Sequence, residues 1–367
     1  MKVRRIQDLA GFRDLASVWS EVARESGQTS PFLSHDWFEC CWIASEPRRR
    51  PELLLVEDTA GPVALVPMVG WAGALRRLPV RYLGMLDSPD TAFVDWLVVG
   101  PPDTAVRAVL DHLDGRRDWD ILALSGLPAG SATLKAISVQ VAERFRVQAL
   151  PSIPSPYVSV SGSWDEFWAS TSQRFKKTLR SVRNRLEKAG RVSIEEHRHA
   201  GPDSAAFQAL LDVSRRSWKA PRALAIATMP GMTEFFARLT ERASAQGWLH
   251  LWLLSLDGRP VASEYQLEGD GRVYALRADV DESVPEDLSP GSHLSGEIVR
   301  ALFGRAGVHE YNMGPGDNPY KSRWATGAQE TARLRAFRPG VYGASLHGLE
   351  SRVIPVLRRL RGGEPRS

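Results

Sequence analysis

Two stretches of the chain carry the same succession of apolar runs around a polar turn. Residues 52–69 read as two β-rich runs separated by a turn containing Asp58 and Gly61, which predicts a hairpin. Residues 249–267 repeat the device around Asp257 and Gly258, and Pro-Val-Ala follows the turn both times, at 62–64 and 260–262. Beyond the first hairpin, a helical pattern over 105–113 leads into an apolar strand over 119–124. Beyond the second, a helical pattern over 294–303 leads into a strand over 308–312. The parts keep their order at a separation of roughly 190–200 residues, which is how a duplicated domain shows itself in one sequence. Strands alternating with helices predict a mixed α/β sheet in each half. Pro151, Pro154 and Pro156 form a connector that suits neither a helix nor a central strand. The halves are therefore set at 1–150 and 151–345, with a basic tail over 346–367.

After the connector, Ser163 with Glu166 three residues on has the spacing of a capping box. In the following helix Phe175, Leu179, Val182 and Leu186 make one apolar stripe, while Arg174, Lys176, Lys177, Arg180, Arg183, Arg185 and Lys188 occupy the other faces. Such a face is either simply solvated or meets a phosphate-rich ligand: a coenzyme 3′-phosphate, a nucleotide sugar or a tRNA backbone. Arg174 and Lys177 are the substrate-binding candidates there. No aromatic residues interleave with the basic ones, which disfavours nucleic acid as a partner.

Composition agrees with a folded chain. Of its 367 residues 43% are hydrophobic and 25% charged, and no run approaches the ~20 apolar residues that a membrane span needs. Two domains suit that length. Met1 to Arg5 is basic, but no apolar run or cleavage site follows, so the expected location is cytoplasmic. Cys40 and Cys41 are the only cysteines; adjacent residues make a poor staple, and no Cys/His framework for a metal exists, so no metal is expected. The net charge of +4 favours anionic partners slightly. Arg352, Arg358, Arg359 and Arg361 of the tail suggest a peripheral membrane contact or, more simply, a terminal helix packed on its own domain.

The segment 273–321 is the richest in candidate chemistry. A strand over 273–278 and an acidic loop precede Ser289-Pro290-Gly291-Ser292-His293-Leu294, which opens a helix. That entry offers backbone N–H groups at a helix N-terminus, where a pyrophosphate would dock; Ser289, Gly291, Ser292, His293 and Leu294 are the cofactor-binding candidates. Ser, Pro and Gly also begin ordinary helices. The corresponding helix of the first half follows Gly100-Pro101-Pro102-Asp103, with fewer donors and a repelling carboxylate. The donor site is therefore expected in the second half.

Ser289-Pro290-Gly291, the strand Glu310-Tyr311-Asn312-Met313-Gly314-Pro315-Gly316 and Tyr320-Lys321-Ser322-Arg323-Trp324 together resemble the C-terminal signature of CelD/BcsL-type GNAT acetyltransferases, relatives of the Fem-like tandem-GNAT transferases. The aromatic and basic helix of 163–180 and Phe32-Leu-Ser-His-Asp-Trp37 extend the resemblance over nearly the whole chain. Family members carry Asp where Asn312 stands. The resemblance implies two tandem GNAT-like domains, the first degenerate, each a mixed, largely antiparallel sheet flanked by helices. It further implies transfer of an acyl group, typically from acetyl-CoA or another acyl-CoA, to a small-molecule or sugar amine, in cell-surface polysaccharide or envelope biosynthesis. Fem relatives instead use aminoacyl-tRNA, and a non-catalytic scaffold of a polysaccharide-synthesis complex is a third reading.

Amine acylation needs a base for the amine proton and donors for the oxyanion, but no nucleophilic Ser or Cys. Glu264 interrupts a mostly uncharged strand. Pointing inward it would be a buried carboxylate with a raised pKa, suited to a base; pointing outward, an ordinary solvent-facing residue. His293 is a second base candidate, or a helix cap. Lys321 beside Tyr320 matches the Tyr/Phe-Lys element of Fem-like enzymes, where the lysine meets anionic substrate or developing charge. Trp218 and Trp324 would line an acceptor pocket or belong to the core, and Tyr320 and Asn312 complete the substrate-binding set.

Overall fold

The computed structural model describes residues 1–45, 47–316 and 318–353. Arg358, Arg359 and Arg361, on which the expected membrane contact rests, lie outside the described residues, as does the Arg352 side chain. The first half supplies β1 (Lys2–Ile6), β2 (Arg50–Glu57), β3 (Pro62–Leu75), β4 (Leu78–Met85), β5 (Leu97–Val98), β6 (Ile121–Pro128) and β7 (Arg146–Leu150). The second supplies β8 (Ser155–Ser159), β9 (Val192–His197), β10 (Leu249–Leu256), β11 (Arg259–Gly269), β12 (Arg272–Val280), β13 (Glu310–Asn312), β14 (Gly327–Gln329) and β15 (Thr331–Phe337). Among the described residues they form an eight-stranded sheet in the order β1-β2-β3-β4-β6-β15-β7, with β5 beside β3, and a seven-stranded sheet in the order β14-β8-β13-β12-β11-β10-β9.

The two orders repeat one plan. Four antiparallel strands, β1 to β4 and β9 to β12, are followed by one parallel neighbour, β6 beside β4 and β13 beside β12. The Pro-Val-Ala segments open the third strand of each sheet, and Ala64 faces Val98 as Ala262 faces Val280. Even single bonds recur: Val99 N–H donates to Val63 O and Asp281 N–H to Val261 O, both at 2.9 Å. β5 is thus the far end of a fourth strand that, in the first half only, is interrupted by residues 86–96.

The division at 345 is corrected by the pairing. β15 leaves the second half and inserts between β6 and β7 of the first sheet, antiparallel to both. The equivalent place in the second sheet, beside β13, is taken by β8, the first strand after the proline connector. The first sheet is thus completed by the last strand of the second half. The proline connector is correspondingly ordered: Pro156 lies near the start of β8, its carbonyl accepting from Met313 N–H at 2.9 Å, and Pro154 O accepts from Gly316 N–H at 2.9 Å. Proline is tolerated where the strand begins because only its N–H is missing.

Nor do the halves have separate cores. Trp19, Trp37, Phe38 and Trp42 from the first half share one cluster with Phe207, Phe235, Phe236 and Tyr265 from the second. The helices His35–Ser45 and Met232–Ala245 meet there, with the Trp37 and Phe235 rings edge-on at 5.4 Å. A second cluster, containing Val158, Leu254, Val273, Ile298, Leu302 and Tyr311, covers the other face of the second sheet beneath the helices Gln173–Ala189 and Pro290–Phe303.

Candidate active site

An opening in the second sheet makes the site. β12 carries one extra residue: Tyr265 of β11 faces Arg277 but Gln266 faces Ala275, so Leu276 bulges and bends the strand. β12 and β13 pair only from Arg272/Glu310 to Tyr274/Asn312 and then separate. Gly314, with φ +76°, turns the chain out of β13, and a Cβ there would lie 2.9 Å from Ala275 O, so this close approach calls for glycine. The helix Pro290–Phe303 begins at the same opening, and a cavity of about 420 Å³ lies between these elements. Its lining includes β12 residues 275–280, Ser263 and Glu264 of β11, Gly291, Ser292, Leu294 and Ser295 of the helix start, and Tyr320 and Lys321.

The first sheet has no such opening. Residues 86–96 fold into the corresponding gap, Val94 N–H bonding Gly126 O at 2.9 Å, with Leu86, Val94 and Trp96 no more than 1% exposed. Side chains close this gap, rather than the prolines and Asp103 that the sequence suggested.

Glu264 points inward. It is 1% exposed, and Oε1 accepts from the Tyr311 hydroxyl and from Gln266 Nε2, the latter at 2.7 Å. Burial raises its pKa above the usual carboxylate value, against the opposing pull of these two donors and of Lys321. Both bonds fall on Oε1, which leaves Oε2 to the cavity. Lys321 Nζ donates to Gly314 O at 3.0 Å and Pro315 O at 3.1 Å, two of its three donor positions. Burial pulls its pKa down to about 8, with Glu264 opposing. Trp218, 47% exposed, stands at the rim with the Arg222 guanidinium over its ring at 5.1 Å.

The helix start is less open than its composition implies. Ser289 (φ 45°) takes the Ser292 and His293 amides onto its own carbonyl at 3.0 and 3.4 Å, while its hydroxyl donates to Glu286 O at 2.9 Å. Among the described residues the Gly291 amide keeps no acceptor. A Cβ on Gly291 would come within 2.6 Å of Val280 Cγ2, so this glycine also lets the helix close onto β12.

Several sequence candidates are corrected. His293 lies with Gly296, Glu297 and Arg300 on the helix face turned to Trp164, Trp168 and Arg180, away from Glu264; burial lowers its pKa. Arg174 and Lys177 are exposed and line neither cavity. Asn312 is fully buried and structural: its Oδ1 accepts from Gly314 N–H at 2.9 Å and its Nδ2 donates to Gln329 at 3.2 Å. Trp324, 4% exposed, packs on Phe175 at 4.8 Å. Reversing Arg174 and Lys177 together to Glu should leave donor affinity in calorimetry within about twofold, since exposed charges away from the site act only through screened fields. A loss of tenfold or more would return that helix to the binding surface.

Sequence reading missed Lys219, Arg277, Asp279 and Ser263, all in the cavity lining. Lys219 Nζ bonds Ala278 O at 2.6 Å and lies 2.8 Å from Asp279 Oδ1. Arg277 meets Asp90, from the plug segment of the first half, at 2.8 Å. The signal was present: Arg277 and Asp279 are charges two apart within the strand, hence on one face. Elsewhere, His35, Asp36 and Glu39 bring ligand atoms within 4.8 Å of one another, but Glu39 is paired with Arg13 at 2.6 Å and Arg242 at 3.1 Å.

Residues 173–322 match the family described as an acetyltransferase (GNAT) domain. No curated protein matches the chain. Among solved structures it is similar to FemX, with 10% identity over 91% of this chain and 97% of that one and a TM-score of 0.59. It is similar to L-PGS from Bacillus licheniformis, with 11% identity, 90% and 94% coverage and a TM-score of 0.55. It also resembles a tandem GNAT protein from the clavulanic acid biosynthesis pathway, with 11% identity, 93% and 100% coverage and a TM-score of 0.52. At such identities the likeness is one of fold, and it spans both sheets. The chain thus has the fold of tandem GNAT proteins, and residues 173–322, in its second half, match an acetyltransferase (GNAT) domain.

Proposed function

We propose that the protein is an N-acyltransferase moving an acyl group, acetyl in the first instance, from acyl-CoA to a primary amine, in the cytoplasm. The CelD/BcsL-like motifs support an acceptor from cell-surface polysaccharide or envelope biosynthesis. The observation that carries the reading is the convergence of a buried carboxylate, Glu264, and a half-buried ammonium, Lys321, on the opening between β12 and β13. The donor pyrophosphate takes the Gly291 end of the helix, where the dipole and the remaining amide favour an anion. The amine nitrogen attacks the thioester carbonyl carbon and passes one proton to Glu264. The C–S bond then breaks and that proton returns to the leaving thiolate. Lys321 offers its third N–H to the charge developing on the carbonyl oxygen. A Fem-like aminoacyl-tRNA donor is less well supported, because Arg174 and Lys177 are exposed and outside the cavity lining. A scaffold role would leave the Glu264 and Lys321 arrangement without a use.

Calorimetric titration with acetyl-CoA tests the donor; no binding at millimolar concentrations ends the reading. The pH profile tests the residues. Glu264 must be ionised to accept a proton, so activity falls as pH drops through its raised pKa. Lys321 must be charged, so activity falls as pH rises through about 8 rather than through the 10.5 of a solvated lysine. Lys321→Met should lower kcat about 10–100-fold and abolish the alkaline limb, whereas Lys321→Arg should move that limb beyond the measurable range. An alkaline limb unchanged in Lys321→Met would exclude this role.

A further inference from the structure

The two faces of the opening differ in chemistry. By strand alternation Glu264 shares the face of Ala262, beneath the helix Pro290–Phe303, whereas Ser263 shares the face of Tyr265, toward the core common to both halves. Asp279 is the cross-strand partner of Ser263, and Arg277 that of Tyr265. On this second face Ser263 is 2% and Asp279 3% exposed; Asp279 Oδ1 faces Lys219 Nζ at 2.8 Å, but Ser263 Oγ and Asp279 Oδ2, both of residues that line the cavity, meet no donor. Buried acceptors without donors are costly, and a group of them lining a cavity implies a ligand that brings the donors.

We propose that this face is the acceptor subsite, built by both halves of the chain, and that it selects a primary amine flanked by hydroxyl groups and carrying no anionic group beside the amine. The inference rests on the N-acyltransferase reading above. An ammonium pairs with the open Asp279 Oδ2, and a hydroxyl beside it donates to Ser263 Oγ. The nearby cations hold no charge in reserve for an anion. Lys219 is engaged by Asp279 at 2.8 Å and by Ala278 O, and Arg277 by Asp90 at 2.8 Å and by Leu224 O at 2.9 Å. A carboxylate or phosphate next to the amine would meet Asp279 instead. At the rim, Arg222 lies over the Trp218 ring, whose other face suits the apolar side of a sugar ring. Because Asp90 belongs to the segment that plugs the first sheet, that segment has a second use: from the other half it braces Arg277, which lines the subsite.

The test titrates glucosamine, glucose and serine into the protein by calorimetry, with and without coenzyme A, for wild type, Asp279→Asn, Ser263→Ala and Asp90→Asn. Glucosamine should bind at least tenfold more tightly than glucose, which lacks the amine, and than serine, which adds a carboxylate. Asp279→Asn should reduce the preference over glucose at least tenfold, and Ser263→Ala and Asp90→Asn at least threefold, with coenzyme A affinity unchanged in each. Ser263→Ala, which removes a single atom, stands in should Asp279→Asn not fold. Equal binding of the three compounds, or a preference that survives both the Asp279 and Ser263 changes, overturns the subsite. Failure of coenzyme A to bind while the glucosamine preference persists would remove the donor reading and leave the subsite standing.

Discussion

Replacing Glu264 with Gln lowers kcat about 10²–10⁴-fold without unfolding the protein. The substitution keeps the shape of the side chain, and its carbonyl oxygen can still accept from Tyr311 and Gln266, the two donors that hold Oε1. It removes only the capacity to take a proton. Stability should move the opposite way from activity. Burial raises the Glu264 pKa, so the folded protein binds that proton more tightly than the unfolded chain does. This group therefore favours the fold at low pH and costs stability as pH rises from the ordinary carboxylate value through the raised one. The amide carries no such cost, and Glu264→Gln should melt at or above the wild-type temperature at neutral pH. Initial rates with acetyl-CoA and thermal melts at two pH values read both effects. A drop in kcat of less than threefold would transfer the base role to another group, Asp279 being the other carboxylate in the described lining.

What could be read from the sequence follows the range over which each signal acts. The hairpins at 52–69 and 249–267 are local, with partners two to four residues apart across a turn, and both formed as the pattern predicted. The place of Glu264 inside a mostly uncharged strand left two readings open, an outward surface charge or a buried carboxylate, and the structure has it buried. His293 was misplaced by helical phase: positions 293, 296, 297 and 300 form one stripe, while 291, 294 and 295 form the stripe that meets the cavity. Its nearness in sequence to Gly291 suggested a nearness in space that a turn of about 100° per residue denies. The exchange that carries β15 into the first sheet left no trace, since a two-residue period tells which face of a strand is buried but not which strand lies beside it. Arg277, Asp279 and Asp90 converge only because the plug segment of one half reaches the other, a contact that no local pattern encodes.

That exchange carries the largest expected effect on folding. A chain cut after Glu330 should fail to fold, although the removed segment lies beyond the matched acetyltransferase residues and outside the cavity lining. Among the described residues β15 is the only neighbour of β7 and separates it from β6, so its loss leaves β7 unpaired and turns β6 into an open edge. It also removes Ala336 and Phe337, at most 1% exposed, and Leu334 at 8%. Truncating one buried phenylalanine to alanine costs about 3–5 kcal/mol, and a whole domain is stable by only about 5–15 kcal/mol. The disruption should then spread to the acyl site, because the first sheet shares its core with the helices backing β10 and β11. Circular dichroism and thermal melts of the shortened chain, with and without a synthetic peptide of residues 331–345, decide the matter. The peptide should restore a cooperative transition by taking the vacant place between β6 and β7. A shortened chain that melts cooperatively within a few degrees of the intact one would show that the first half folds without its exchanged strand.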